Sequence, residues 1–133
     1  MPFVLDASVA GPWVLADEPS EAANRIAHRL LTESALVPTL WWYEVRNLLV
    51  VCERRGRLNR SDSDLFLSRL KNYPIKVDAE PNWDDVMRLA RKHRLTIYDA
   101  SYLELAIRSK VPVATLGGAL QRAAANEGVA LDA

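Results

Sequence analysis

Short apolar runs alternate along this chain with longer stretches whose apolar positions recur every three or four residues. The short runs are Phe3-Val4-Leu5, Ala35-Leu36-Val37, Ile75-Lys76-Val77, Val111 to Leu116 and Val129-Ala130-Leu131. Most are apolar at successive rather than alternate positions, the pattern of strands covered on both faces in a parallel sheet. The longer stretches predict helices. Ser20 precedes a face of Ala23, Ile26, Ala27, Leu30 and Leu31. Thr39 is the predicted cap of a helix with the stripe Trp41, Val45, Leu48, Leu49 and Cys52, ending near Gly56. Ser61 and Asp64 suit a capping box before Phe66, Leu67, Leu70 and Tyr73, and Pro74 stops that helix. Trp83, Val86, Met87 and Ala90 mark a further helix, Thr96 opens one with Leu103, Ala106 and Ile107, and Leu120, Ala123 and Ala124 mark the last.

Strands alternating with helices predict an α/β fold of three layers, α/β/α, around a mainly parallel sheet of five strands. The 133 residues form one domain, 1–133, with ordinary composition: 50% apolar and 26% charged. No run approaches the roughly 18 apolar residues of a membrane span. The start, Met1 to Asp6, has no basic leader, so no signal peptide is expected. Cys52 is the single cysteine, which excludes an internal disulfide and leads us to expect a cytoplasmic protein. Zero formal net charge does not announce a nucleic-acid binder. Basic residues do gather at Arg46, Arg54, Arg55, Arg57, Arg60, Arg69 and Lys71, and again at Arg88, Arg91, Lys92 and Arg94. Such groups serve either as solvated helix faces or as phosphate contacts. No role is expected of His28 or His93.

In a parallel α/β sheet, ligands bind beyond the carboxyl ends of the strands, where the strand order reverses. Acids at strand ends and at facing helix starts therefore matter most. Asp6 ends the first strand, Glu44 lies in the first turns of the Thr39 helix, and Asp99 lies in the first turn of the Thr96 helix. Each has a structural alternative. Asp6 suits a helix cap, Glu44 a helix dipole, and Thr96-x-x-Asp99 a capping box. Glu44, however, sits beyond the usual cap positions among Trp41, Trp42, Tyr43 and Val45, with Asn47 on the same face. A carboxylate in such company needs a cation or strong donors. Three acids meeting at the sheet edge would take up a proton or a cation. With no paired His or Cys, the oxygen ligands favour Mg²⁺ or Mn²⁺ over zinc.

The Leu-Asp-Ala-Ser opening, the Glu-x-x-Asn of Glu44 and Asn47, the Thr-x-Tyr-Asp-Ala-x-Tyr run at 96–102 and Pro112 to Leu116 occur in the order and spacing of PIN-domain ribonucleases. The chain resembles that family, and within it the VapC toxins of type II toxin–antitoxin systems. The resemblance implies a metal-dependent ribonuclease that hydrolyses RNA phosphodiester bonds. It implies Asp6, Glu44 and Asp99 as catalytic and metal-binding carboxylates, and Ser8, Asn47 and Thr115 as their hydrogen-bonding supports. It also implies a homodimer held inactive by a small VapB-like antitoxin. Family members usually carry a fourth acid two residues after the equivalent of Thr115, where this chain has Gly117 followed by Gly118.

Two other readings compete. One is a non-catalytic binding module on the same fold, which Gly117 favours. The other is a receiver-like domain with Asp78 as phosphoacceptor and Asp6 as metal ligand. The latter lacks paired acids after the first strand, and no lysine follows Lys110. The remaining acids Asp84 and Asp85 suit a helix start. Trp41 to Tyr43 and the apolar stripe of the Ser20 helix are the expected partner anchors.

Overall fold

The computed structural model describes residues 1–131. Four strands, β1 (Phe3–Leu5), β2 (Ala35–Pro38), β3 (Ile75–Asp78) and β4 (Val113–Ala114), form one sheet in the order β3-β2-β1-β4. All neighbours are parallel, with Phe3 opposite Ala35, Val4 opposite Val113, and Ala35 opposite Ile75. The chain lays β2 and β3 to one side of β1, then returns to place β4 on the other. The order therefore reverses between β1 and β4, and the crevice beyond their carboxyl ends is the expected ligand position. Among the described residues, seven α-helices complete the fold: α1 (Ala10–Val14), α2 (Glu21–Arg29), α3 (Leu40–Arg54), α4 (Arg60–Leu70), α5 (Trp83–His93), α6 (Ile97–Ser109) and α7 (Gly118–Asn126).

The fifth strand expected at Val129 to Leu131 is reduced to a bridge between Ala130 and Val113. Val113 donates to the Val129 carbonyl at 2.8 Å, and Leu131 donates to that of Val113 at 3.3 Å. The segment follows Gly128, in the left-handed region at φ +74°.

Helix α6 is the centre of the molecule. Residues 100–106 are all buried, and the helix packs against β1, β2, β4, α5 and α7. Its buried turns are mostly apolar, with Ser101 and Glu104 the polar exceptions, as suits a core helix. Tyr102, Leu103, Leu105 and Trp41 are among the largest fully buried side chains, each contributing about 2 kcal/mol of hydrophobic stabilisation. The other stripes are narrower than their spacing suggests. Ala23, Ile26 and Leu30 are buried while Leu31 is exposed, and Val86 and Ala90 are buried while Trp83 and Met87 are exposed.

Two helix starts differ from expectation. Thr39 has helical dihedrals and makes no capping bond, because β2 runs into α3 almost without a turn. The capping box of α4 is Asn59 with Asp62, two residues ahead of the Ser61–Asp64 pair that shows the same local pattern. Ser20 caps α2 through the Ala23 amide at 3.1 Å, as expected.

Candidate active site

Asp6 leaves the end of β1 with its residue 6% exposed. It stands at the cap position of the 3-10 turn Ala7–Val9, yet its side chain makes no capping bond. Instead, Oδ2 accepts from Ser8 Oγ at 2.6 Å and from Thr115 Oγ1 at 2.7 Å. Thr115 follows β4, so this pair of bonds spans the crevice at the reversal of strand order. Ser8 Oγ lies 3.3 Å from Thr115 Oγ1 and also accepts from the Leu116 amide at 2.9 Å. Thr115 Oγ1 in turn accepts from the Gly117 amide at 3.0 Å. The β1 and β4 ends are thus locked to one carboxylate oxygen.

Glu44 lies on α3, half-buried, and its Oε1 accepts from the Tyr102 hydroxyl at 2.6 Å. Burial raises the Glu44 pKa above the ordinary glutamate value. The Tyr102 bond opposes that rise, and the charges of Asp6 and Asp99 add to it. Burial and the Glu44 partner push the Tyr102 phenol far upward, so it remains a donor. Asp99 occupies the first turn of α6. Thr96 caps that helix by accepting from the Asp99 amide at 3.0 Å. Among the described residues, the Asp99 carboxylate makes no return bond, so it is not spent on a capping box. Burial and then the charge of Asp6 raise its pKa.

Asp6 and Asp99 therefore sit close enough to raise the pKa of Glu44, and Asp6 close enough to raise that of Asp99. Among the described residues, no Lys, Arg or His forms a salt bridge with any of the three. Like charges without a counter-charge are what a cation would relieve. Hydroxyl groups occupy one oxygen each of Asp6 and Glu44. Among the described residues, no three Asp, Glu, His or Cys side chains already stand as a compact metal cage. The donor set suits a hard ion that keeps part of its water shell, as Mg²⁺ does.

Asn47 lines an open groove of about 500 Å³ with Glu44, Tyr43, Leu48, Val51 and Tyr98, and no hydrogen bond joins it to Glu44 among the described residues. Tyr43 and Tyr98 are exposed along this groove. Asp78 lies elsewhere, held by a bidentate Arg108 fork at 2.9 and 3.2 Å that lowers its pKa. Tyr102 was not among the expected site residues. Its signal was its place one turn after Asp99, on a face shared with that acid.

A family model, PIN domain, matches residues 3–126, and the chain belongs to the PIN-domain family. Among curated proteins it is similar to Ribonuclease VapC3 of Pyrobaculum aerophilum, 34% identical over 109 residues, covering 80% of this chain and 82% of that one. Among solved structures it is similar to the crystal structure of PAE2754 from Pyrobaculum aerophilum. The TM-score is 0.72 and the identity 28%, over 99% of this chain and 89% of that one. This is the family to which the ordered sequence motifs pointed.

Proposed function

We propose that this protein is a VapC-type endoribonuclease toxin that hydrolyses RNA phosphodiester bonds with the help of Mg²⁺ or Mn²⁺. The observation that carries the reading is the uncompensated carboxylate group of Asp6, Glu44 and Asp99 at the reversal of strand order. The name of the VapC3 relative supplies the substrate class. Asp6, Glu44 and Asp99 would hold the divalent ion. When bound, such an ion neutralises phosphate charge and lowers the pKa of water enough to supply a nucleophile.

The chain's own contribution is placement. Ser8 and Thr115 donate to one Asp6 oxygen and leave the other without a hydrogen bond among the described residues. Tyr102 does the same for Glu44, and its buried phenol fixes the carboxylate against α6. Asp99, free of its capping role, offers both oxygens. Burial and neighbouring acids raise the pKa values of Glu44 and Asp99, which marks charge that a bound cation would offset. Asn47, exposed beside Glu44, faces the groove where a substrate would lie.

The reading includes a cytoplasmic homodimer inhibited by a small VapB-like antitoxin. No helix among the described residues is long and apolar enough to cross a membrane. Trp41 is fully buried and is withdrawn as a partner anchor, as are Ala23, Ile26 and Leu30 of the α2 stripe. The exposed Tyr43 and Leu31 remain available.

The test is cleavage of a labelled single-stranded RNA by the purified chain in EDTA, Mg²⁺ or Mn²⁺. Cleavage in either ion, absent in EDTA and lost in Asp6→Asn, is the expected result. Binding without cleavage in any ion would mark a non-catalytic module. Phosphorylation of Asp78 would revive the receiver alternative, which the Arg108 fork argues against.

A further inference from the structure

We propose that Lys92, Arg94 and Arg122 form a groove that seats RNA backbone phosphates beside the carboxylate site, an inference that rests on the ribonuclease reading. Three observations support it. First, a pocket of about 350 Å³ lies between the α5–α6 turn and α7, lined by Lys92, His93, Arg94, Ala119, Arg122, Ala123 and Asn126. Its walls are mostly polar and bring together cations from two segments distant in sequence. Among the described residues, Arg94 and Arg122 form no salt bridge. Lys92 and His93 share a single carboxylate, reaching Glu127 Oε2 at 2.7 Å each. The pocket therefore carries a net positive charge.

Second, Arg122 reaches back along α7. A Cβ at Gly118 would stand 3.1 Å from its Nη1, so the bare glycine leaves the guanidinium room over the first helical turn. That turn has no acid, and its cap residue Gly117 makes no side-chain bond. An arginine beside the positive end of a helix dipole is electrostatically unfavourable unless an anion joins them.

Third, both cations adjoin the acids through short covalent paths. Arg94 lies two residues before Thr96, the cap of the helix carrying Asp99. Gly117 and Gly118 directly follow Thr115 and Leu116, where the Asp6 network ends. A strand whose scissile phosphate lies at the carboxylates would place neighbouring phosphates over Arg122 and Arg94. Backbone contacts of this kind position a nucleic acid without reading its sequence.

The experiment compares the wild-type chain with the double variant Arg94→Gln, Arg122→Gln. Binding of a labelled single-stranded RNA 20-mer is measured by anisotropy in EDTA, from 50 to 200 mM KCl. Each lost phosphate contact should flatten the slope of log K against log salt by about 0.7. Two contacts give a slope shallower by about 1.4 and binding about 25-fold weaker at 0.1 M salt, relative to convergence at 1 M. With Mg²⁺ or Mn²⁺, KM should rise while kcat holds. The control Arg55→Gln, Arg60→Gln removes the same charge from another exposed surface and should leave the slope unchanged. An unaltered slope in the Arg94/Arg122 variant, or an equal change in the control, overturns the groove while wild-type cleavage still upholds the ribonuclease reading. A wild-type chain that neither binds nor cuts RNA overturns both.

Discussion

Replacing Gly117 by Asp should make the metal-free protein less stable and the metal-bound protein more active. The backbone permits the change, since Gly117 has φ −80° and ψ 126°, ordinary extended values. An added Cβ would meet Thr115 Oγ1 at 3.5 Å, which is normal contact. That hydroxyl is itself 2.7 Å from Asp6 Oδ2, so the new carboxylate would enter the Asp6 pocket. Two carboxylates about 5 Å apart repel by about 3 kcal/mol at an effective dielectric constant of about 20. Position 117 is only half-buried, and screening by water reduces that figure. As the cap of α7, Asp should recover a few tenths of a kcal/mol over Gly, with up to about 1 kcal/mol from the helix dipole.

The balance is a loss of about 1–2 kcal/mol in EDTA. At about 4 °C per kcal/mol for a domain of this size, Tm should fall by about 4–8 °C. Adding Mg²⁺ or Mn²⁺ should reverse the sign, because a cation turns the repulsion into ligation, and a tenfold gain in affinity is worth about 1.4 kcal/mol. Thermal unfolding with and without metal, beside calorimetric titration and RNA cleavage, measures each part. A variant more stable than wild type in EDTA, with unchanged metal affinity, would show that position 117 acts only as a helix cap. The reasoning about a fourth carboxylate would then be wrong.

Three further outcomes follow from the same geometry. Thr115→Val removes a donor to Asp6 and the acceptor of the Gly117 amide, and should lower metal affinity by about 10–100-fold in calorimetry. Glu44→Gln keeps an acceptor for Tyr102 but removes charge. Since burial and neighbouring acids raise the Glu44 pKa, wild-type metal-free stability should decline as pH rises from the unfolded toward the folded pKa. The variant should show a smaller decline in urea titrations across acidic pH, together with loss of cleavage. Arg108→Leu strands Glu104, which is 2% exposed and accepts from Arg108 Nε at 3.0 Å. It should cost about 3 kcal/mol by denaturation, moderated because the Asn82 amide still donates to Glu104 at 2.9 Å.

Strand and helix order were legible because short runs of successive apolar residues differ clearly from longer stretches with an apolar position every three or four residues. Caps were less so. The Ser61–Asp64 and Asn59–Asp62 pairs have the same local form, and it is Asn59 with Asp62 that forms the capping box. The last strand failed because its few residues gain only one bridge to Val113. Asp6, Glu44 and Asp99 could be singled out because each lies at an element end that the parallel topology aims at one edge. Tyr102 was legible only through its helical spacing from Asp99, since its bond to Glu44 joins residues 58 apart in sequence. The pocket shared by Arg94 and Arg122 was not legible, because it brings together residues far apart in sequence.

Several of the chain's other acids are met by cations, which the site's acids are not. Asp78 and Glu104 are forked by Arg108, Glu127 is met by Lys92 and His93, and Asp17 and Glu18 share Arg57. Hydrogen bonds from Arg108 lower the pKa of Asp78, and those from Lys92 and His93 lower that of Glu127. Glu44 and Asp99 shift the other way, although the chain has as many basic as acidic residues. Cations were thus available, and neutralising the three acids would have stabilised the fold. Instead, the donors beside Asp6 and Glu44 are hydroxyls, which orient a carboxylate without cancelling its charge. An arrangement that leaves charge repulsion in place and yet holds one oxygen each of Asp6 and Glu44 is suited to a cation.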